Sequence, residues 1–153
     1  MQLTMTLDET SVKPIVSLDW FTGCRALIDT GADIPVWISD IDILESLGGR
    51  PDEKYKTVGI NGFGGQNEAP LYRVDFQMKD IIYPNMPIAC VKLKGINAQI
   101  ILSANNFKKM IYEIDTVNNK VNINIPDNQP SRPLAIREEN GKLSIYLQDV
   151  KEN

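Results

Sequence analysis

The chain has 153 residues, a net charge of −4 and no histidine. The negative charge balance disfavours nucleic-acid binding, because a surface that follows phosphates needs an excess of lysine and arginine. The lack of histidine excludes a histidine-dependent catalytic triad and a histidine-ligated metal, and two cysteines are too few for a structural zinc site. Acid–base chemistry in this chain would therefore use carboxylates, lysine or tyrosine.

The length suits one domain, and the composition is that of an ordinary globular protein. No run of 18 apolar residues occurs, so we expect no membrane partner. The first residues show neither a basic segment nor an apolar segment of a secretory signal, and we therefore expect a cytoplasmic protein. Cys24 and Cys90 are isolated from each other in the sequence, which indicates free thiols. We expect no metal and no cofactor.

The first third of the chain predicts three strands followed by a helix. Alternating or continuous apolar residues predict strands over residues 2–7, 14–20 and 24–28, and residues 34–38 continue in an extended conformation. Ser39 is predicted to cap a short helix, with Asp42 three residues later as its acidic partner. Gly48-Gly49 is predicted to end that helix.

The remainder predicts further short strands joined by tight turns. Strands are expected over residues 55–60, 71–78, 88–93 and 98–102, and Ser103 or Asn105 is expected to cap a second short helix. Two hairpins follow, which join residues 111–115 to 120–125 and 134–137 to 143–147; Asn140-Gly141 lies at the second tip. Many short strands with two short helices predict an all-β, closed or nearly closed barrel.

The segment Asp29-Thr30-Gly31-Ala32 is the strongest candidate for chemistry. It follows the apolar run Ala26-Leu27-Ile28 and precedes a second apolar run. A carboxylate at the end of a buried strand is held rigidly, and glycine lets the backbone turn sharply behind it. The alternative is an ordinary turn at a strand end, where Asp, Thr and Gly are all common.

This segment, extended from Leu27 to Asp33, resembles the active-site segment of the retroviral-type aspartic proteases, the retropepsins. Two further segments fall in the family's order. The glycine-rich stretch from Val58 to Gly65 is similar to the family's flap, and the stretch from Ile100 to Asn105 resembles its second signature. The resemblance covers residues 13–115 or so, and it leaves the last 40 or so unexplained. We therefore expect a protease domain over residues 1–126 and a C-terminal loop and hairpin extension of the same domain over residues 127–153.

The resemblance implies a single-lobed, acid-protease-type barrel that acts as a homodimer. Asp29 of each protomer would meet at the two-fold axis, where two close carboxylates share one proton. The ionised carboxylate would take a proton from water, which then attacks a peptide carbonyl, and the protonated one would stabilise the developing oxyanion. Thr30 would reach across to the partner's backbone, and Gly31 would complete the catalytic turn.

The resemblance also implies a set of residues that bind a peptide or protein substrate. Asp33 would bind the substrate main chain, Ala32 would lie beside it, and the other members would line apolar subsites or form the flap. The full predicted set is Leu27, Ala32, Asp33, Ile34, Val36, Ile60, Asn61, Gly62, Phe63 and Ile101.

The chain departs from the family pattern at three places. Ser103 stands where the family has glycine, Ala104 stands where retroviral members have arginine, and Phe63 makes the flap tip bulkier. A second hypothesis therefore keeps the fold and drops turnover, which leaves a dimeric peptide-binding or scaffold module. A third is an unrelated β-barrel in which Asp-Thr-Gly is fortuitous.

Overall fold

The computed structural model describes residues 1–60 and 67–148, and these are built mainly from β-strands. One α-helix, α1 (Ile41–Ser46), and one 3-10 helix (Ala104–Phe107) complete the described elements. The predicted all-β class is confirmed. The strands are β1 (Gln2–Thr6), β2 (Ile15–Ser17), β3 (Arg25–Ile28), β4 (Val36–Trp37), β5 (Arg50–Pro51), β6 (Thr57–Ile60), β7 (Asn67–Met78), β8 (Ile81–Cys90), β9 (Ile100–Leu102), β10 (Ile111–Asp115), β11 (Lys120–Asn124), β12 (Leu134–Glu139) and β13 (Lys142–Leu147).

The largest sheet has the strand order β2-β3-β9-β4-β8-β7-β5, with β6 paired to β7. Its end strands, β2 and β5, are not paired with each other, so the described residues form no closed barrel, and the prediction of a closed barrel is wrong. The physical reason lies in the edge strands. β2 has three residues and β5 has two, one of them Pro51, which has no N–H to donate to a further strand. Closure needs staggered pairing around the whole sheet.

The core lies under β7 and β8, which form a long hairpin. Val74, Phe76 and Met78 alternate along β7 with more exposed polar residues, as a strand with one buried face requires. Phe76 meets Trp20 edge-on, with ring centroids 4.8 Å apart. Trp37 of β4 is fully buried in the same cluster. The sheet that this cluster stabilises also contains β3 and β9, the two strands that lead into the candidate site.

Several predicted boundaries differ from the structure, and two of the differences have a clear physical cause. β8 begins at Ile81, seven residues before the predicted strand, because Pro84 and Pro87 lie inside it and proline disfavours strands. The N-cap of α1 is Asp40 rather than Ser39. The carboxylate of Asp40 makes no capping bond to the helix, and it instead lies 2.6 Å from the ammonium of Lys92.

The C-terminal segment is attached to the main sheet through buried contacts. The backbone amide of Ile82 donates to Pro130, and the amide of Arg132 donates back to Ile82, both at 2.8 Å. The side chain of Arg132 is buried, and its guanidinium donates to both carboxylate oxygens of Asp127 at 3.1 Å and to the carbonyl of Lys108 at 2.8 Å. The hairpin of β12 and β13 follows this anchor, as the sequence predicts.

Cys24 is buried, Cys90 is half-buried, and both are free thiols. Burial raises the pKa of each thiol to about 12, so neither forms a reactive thiolate at neutral pH. In the described part of the chain, the helices are all too short or too polar to cross a lipid bilayer.

Candidate active site

The two segments that resemble family signatures lie side by side in the main sheet, on its second and third strands. β3 carries the run that leads into Asp29, and β9 carries the run that leads into Ser103. The strands are parallel, with Leu27 opposite Ile101 and Ile28 opposite Leu102. The chain therefore leaves both strands at the same end of the sheet, although the two strands are more than 70 positions apart in the sequence. The segments that follow the two strands are in contact there.

The turn that contains Asp29 is hydrogen-bonded at one end to the last residue of β9 and at the other end to the first residue of the 3-10 helix. The backbone amide of Asp29 donates to the carbonyl of Leu102 at 3.0 Å, and the amide of Ala104 donates to the carbonyl of Ala32 at 2.9 Å. Within the turn, the amide of Ala32 donates to the carbonyl of Asp29 at 3.1 Å. These bonds fix the backbone on which the candidate catalytic carboxylate stands.

The carboxylate of Asp29 is exposed in a single chain, and one of its oxygens is held by the turn. Oδ1 accepts a hydrogen bond from the backbone amide of Gly31 at 3.0 Å. Thr30 and Gly31 are also exposed. A Cβ atom at residue 31 would lie 3.2 Å from Oδ1, closer than an ordinary contact, so glycine is the residue that leaves the carboxylate undisturbed.

Ser103, which stands where the resemblance predicts glycine, is fully buried and fully bonded. Its amide and its hydroxyl both donate to Oδ1 of Asn106, at 2.8 and 2.9 Å. The carbonyl of Asn106 accepts a hydrogen bond from the hydroxyl of Tyr83 at 2.5 Å. Burial raises the pKa of Tyr83, which keeps that hydroxyl protonated as a donor. The extra hydroxymethyl group is thus accommodated by a buried polar network.

Asp33 and the C-terminal hairpin are linked through one side chain. Nδ2 of Asn105 donates to the carbonyl of Asp33 at 2.7 Å and to the carbonyl of Ile145 in β13 at 2.8 Å. Both hydrogens of the amide are therefore used. Asp33 itself is exposed to solvent beside the turn that contains Asp29.

The apolar residues predicted to line subsites belong to the core of the single chain. Ala32 is half-buried. The other predicted subsite residues are almost completely buried, and their contact with substrate stays a prediction. Their exposed fractions are 6% for Leu27, 7% for Ile34, 2% for Val36, 7% for Ile60 and 3% for Ile101.

The predicted flap is a hairpin at its base. β6 pairs antiparallel with the start of β7, so that Thr57 lies opposite Pro70 and Ile60 lies opposite Asn67. Asn61, Gly62 and Phe63, the predicted tip residues, lie outside the described residues. The base of the hairpin borders a cleft of about 490 Å³ that also reaches Asp33.

The sequence predicted the hairpin tip at Asn140-Gly141, but it did not indicate that this tip or Asn106 lies near the candidate site. Asn106 lies three residues after Ser103, which itself follows the apolar run of β9. Two polar residues at this spacing directly after an apolar run were the sequence signal from which a bond between them could have been predicted. Gly141, Lys142 and Leu143 line the same cleft as Asp33, and no local pattern places them there.

Neither a protein-family model nor a curated protein matches this sequence. The case for a function therefore depends on the residues and the geometry described above.

Proposed function

We propose that the chain is an aspartic endopeptidase whose site is completed by a second copy of itself. The observation that carries the proposal is the turn from Asp29 to Ala32, which is hydrogen-bonded at one end to Leu102 of β9 and at the other end to Ala104 just after β9. Two separate signature segments, each chosen on sequence alone, meet at this point. A fortuitous Asp-Thr-Gly would have no reason to lie against the second segment.

The chemistry follows from two carboxylates that share one proton. The ionised Asp29 takes a proton from a water molecule, and the water oxygen forms a bond to the carbonyl carbon of the peptide. The partner subunit's Asp29, which is protonated, donates a hydrogen bond to the carbonyl oxygen as negative charge develops there. Transfer of a proton to the amide nitrogen then breaks the C–N bond, and the pair returns to its starting protonation.

The need for a partner follows from the content of one chain. The sequence contains one Asp-Thr-Gly, and its only other Asp-Thr, Asp115-Thr116, precedes valine. Asp29 is exposed in the single chain, as expected of a group that a partner and a substrate would cover. A two-fold axis beside the turn duplicates Asp29 and Thr30 together.

The test is cleavage of a diverse peptide library by the wild-type protein and by Asp29→Asn, with the products identified by mass spectrometry. Asparagine keeps the volume of the side chain and cannot act as a base, so cleavage is expected to vanish while the circular dichroism spectrum is unchanged. Equal cleavage by both proteins would contradict the proposal. Tight peptide binding without cleavage by the wild type would instead favour the scaffold hypothesis.

A further inference from the structure

The C-terminal hairpin forms one side of the cleft that reaches Asp33, the residue that follows the turn from Asp29 to Ala32. β13 packs against β6 and against the 3-10 helix that follows Ser103. Asn105 fixes this arrangement, because its amide bonds both to Asp33 and to Ile145. The hairpin is further held by the hydroxyl of Tyr55, which donates to the carboxylate of Glu138 at 3.0 Å.

The hairpin tip is a defined structure that places Lys142 in the cleft. Asn140 and Gly141 both have positive φ, at 52° and 77°, as a two-residue type I′ turn requires. The strand resumes at Lys142, so the turn fixes where this residue lies. The cleft encloses about 490 Å³, which is large enough for a long side chain of a peptide.

The charges around the cleft are unequal. Two acidic residues, Asp33 and Glu68, line it against one basic residue, Lys142. Within residues 1–60 and 67–148, these three form no ion pair with one another or with other residues. Glu68 accepts a 3.3 Å hydrogen bond from the hydroxyl of Thr57. A cleft with an excess of one sign favours a substrate group of the other sign.

We propose that this cleft is a subsite for a basic side chain, lysine or arginine, of the peptide substrate. Asp33 and Glu68 attract the cation, and Lys142 on the hairpin limits the strength of that preference. The proposal rests on the proposed function, since it names the substrate class of the same site. It also assigns the C-terminal hairpin a role in choosing substrates.

The experiment compares peptides that are identical except at one position, which holds lysine, the neutral isostere norleucine, or glutamate. Separate peptide sets place this variable residue at each position on either side of the scissile bond. At one position the wild type is expected to prefer lysine over norleucine, and to disfavour glutamate. An exposed charge pair changes such a ratio by up to about 5-fold.

Two variants are expected to change the ratio in opposite directions, and a third serves as the control. Glu68→Gln is expected to lower the lysine-to-norleucine ratio by up to about 5-fold, and Lys142→Glu is expected to raise it by a similar factor. Lys94→Glu, in the exposed loop after β8, makes the same change in net charge as Lys142→Glu and is expected to leave the ratio unchanged. Equal ratios in Glu68→Gln, Lys142→Glu and the wild type would overturn the proposal.

A binding measurement separates this proposal from the proposed function. Fluorescence anisotropy with the same peptides is measured on Asp29→Asn, alone and combined with Glu68→Gln or Lys142→Glu. The order of affinities is expected to follow the order of cleavage ratios. If the wild type cleaves nothing and the binding order is retained, the subsite is supported and peptide hydrolysis is contradicted. Binding that ignores the charge of the peptide would contradict the subsite.

Discussion

The backbone amide of Asp29 donates a hydrogen bond to the carbonyl of Leu102 at 3.0 Å. The bond joins the two segments on which the proposed function depends, one at the end of β3 and the other at the end of β9. Since β3 and β9 are parallel and adjacent, the turn after one strand is supported by the backbone after the other. A local change in the backbone after β3 or after β9 would therefore move the carboxylate of Asp29.

Gly31→Ala tests this support at the closest contact. The added Cβ would lie 3.2 Å from Oδ1 of Asp29, so either the carboxylate or the turn must shift. We expect kcat/KM to fall by up to about 100-fold, the effect of misplacing a reacting group by about 1 Å. Thermal unfolding checks that the fold is kept. Unchanged activity in this variant would show that the position of the carboxylate is not critical.

The dependence of activity on pH reports the number of carboxylates. A pair that shares one proton is inactive when it binds a second proton and inactive when it loses the shared one. We therefore expect a rate that falls on both the acidic and the alkaline side of a maximum, measured as kcat/KM on one peptide. A rate that continues to rise well above neutral pH would indicate a different base.

The network around Ser103 predicts a specific order of stabilities. Asn106→Leu leaves the buried amide and hydroxyl of Ser103 without their acceptor, and we expect a loss of about 2–4 kcal/mol in the free energy of unfolding. Ser103→Gly removes one donor and keeps the amide bond to Asn106, so the loss is expected to be about 1 kcal/mol.

Urea unfolding at one fixed protein concentration measures both losses. Asn97→Ala, at an exposed side chain, is the control and is expected to change stability by no more than about 0.5 kcal/mol. Equal stabilities of Asn106→Leu and Ser103→Gly would contradict the account of this network.

The ion pair between Asp52 and Arg73 predicts how stability depends on pH. Desolvation raises the pKa of Asp52, but bonds from the amides of Tyr55 and Lys54 and from the guanidinium of Arg73 outweigh it, so the pKa is lowered. A lowered pKa in the folded state stabilises the fold above the unfolded value of about 4, and this contribution is lost as pH falls through the folded pKa.

Asp52→Asn is therefore expected to be less stable than the wild type at neutral pH, and the difference in the free energy of unfolding is expected to shrink as pH falls below about 4. Urea unfolding across this pH range checks the sign. Asp80→Asn, at an exposed turn residue, is the control. A difference that grows toward low pH would contradict the assigned direction.

The sequence predicted those parts of the fold that local patterns specify. The apolar run before Asp29 and the Asn140-Gly141 turn are local signals, and both lie where they were expected. The strand β8 was placed too late because Pro84 and Pro87 oppose a strand locally, while pairing with β7 along its length outweighs them. Long-range pairing of this kind leaves no local pattern.

The candidate site was predictable in its residues and not in its surroundings. Asp29 and Ser103 follow recognisable strands, but the bonds of Asn105 to Asp33 and Ile145 span 72 and 40 positions of the chain. Contacts over such separations depend on the packing of the whole domain. The charged cleft beside the C-terminal hairpin arises in the same way and was not expected from the sequence.

The central claim is that the site needs an Asp29 from each of two chains, and a mixing experiment tests it most directly. Wild type is held at a fixed concentration above the dimer dissociation constant, and increasing amounts of Asp29→Asn are allowed to exchange with it before peptide cleavage is measured. With an equal amount of variant, random pairing leaves about half of the wild-type chains in wild-type dimers, so activity is expected to fall to about half, and further with more variant. Activity that stays constant at every ratio of variant to wild type, with exchange confirmed by native mass spectrometry, would contradict the claim.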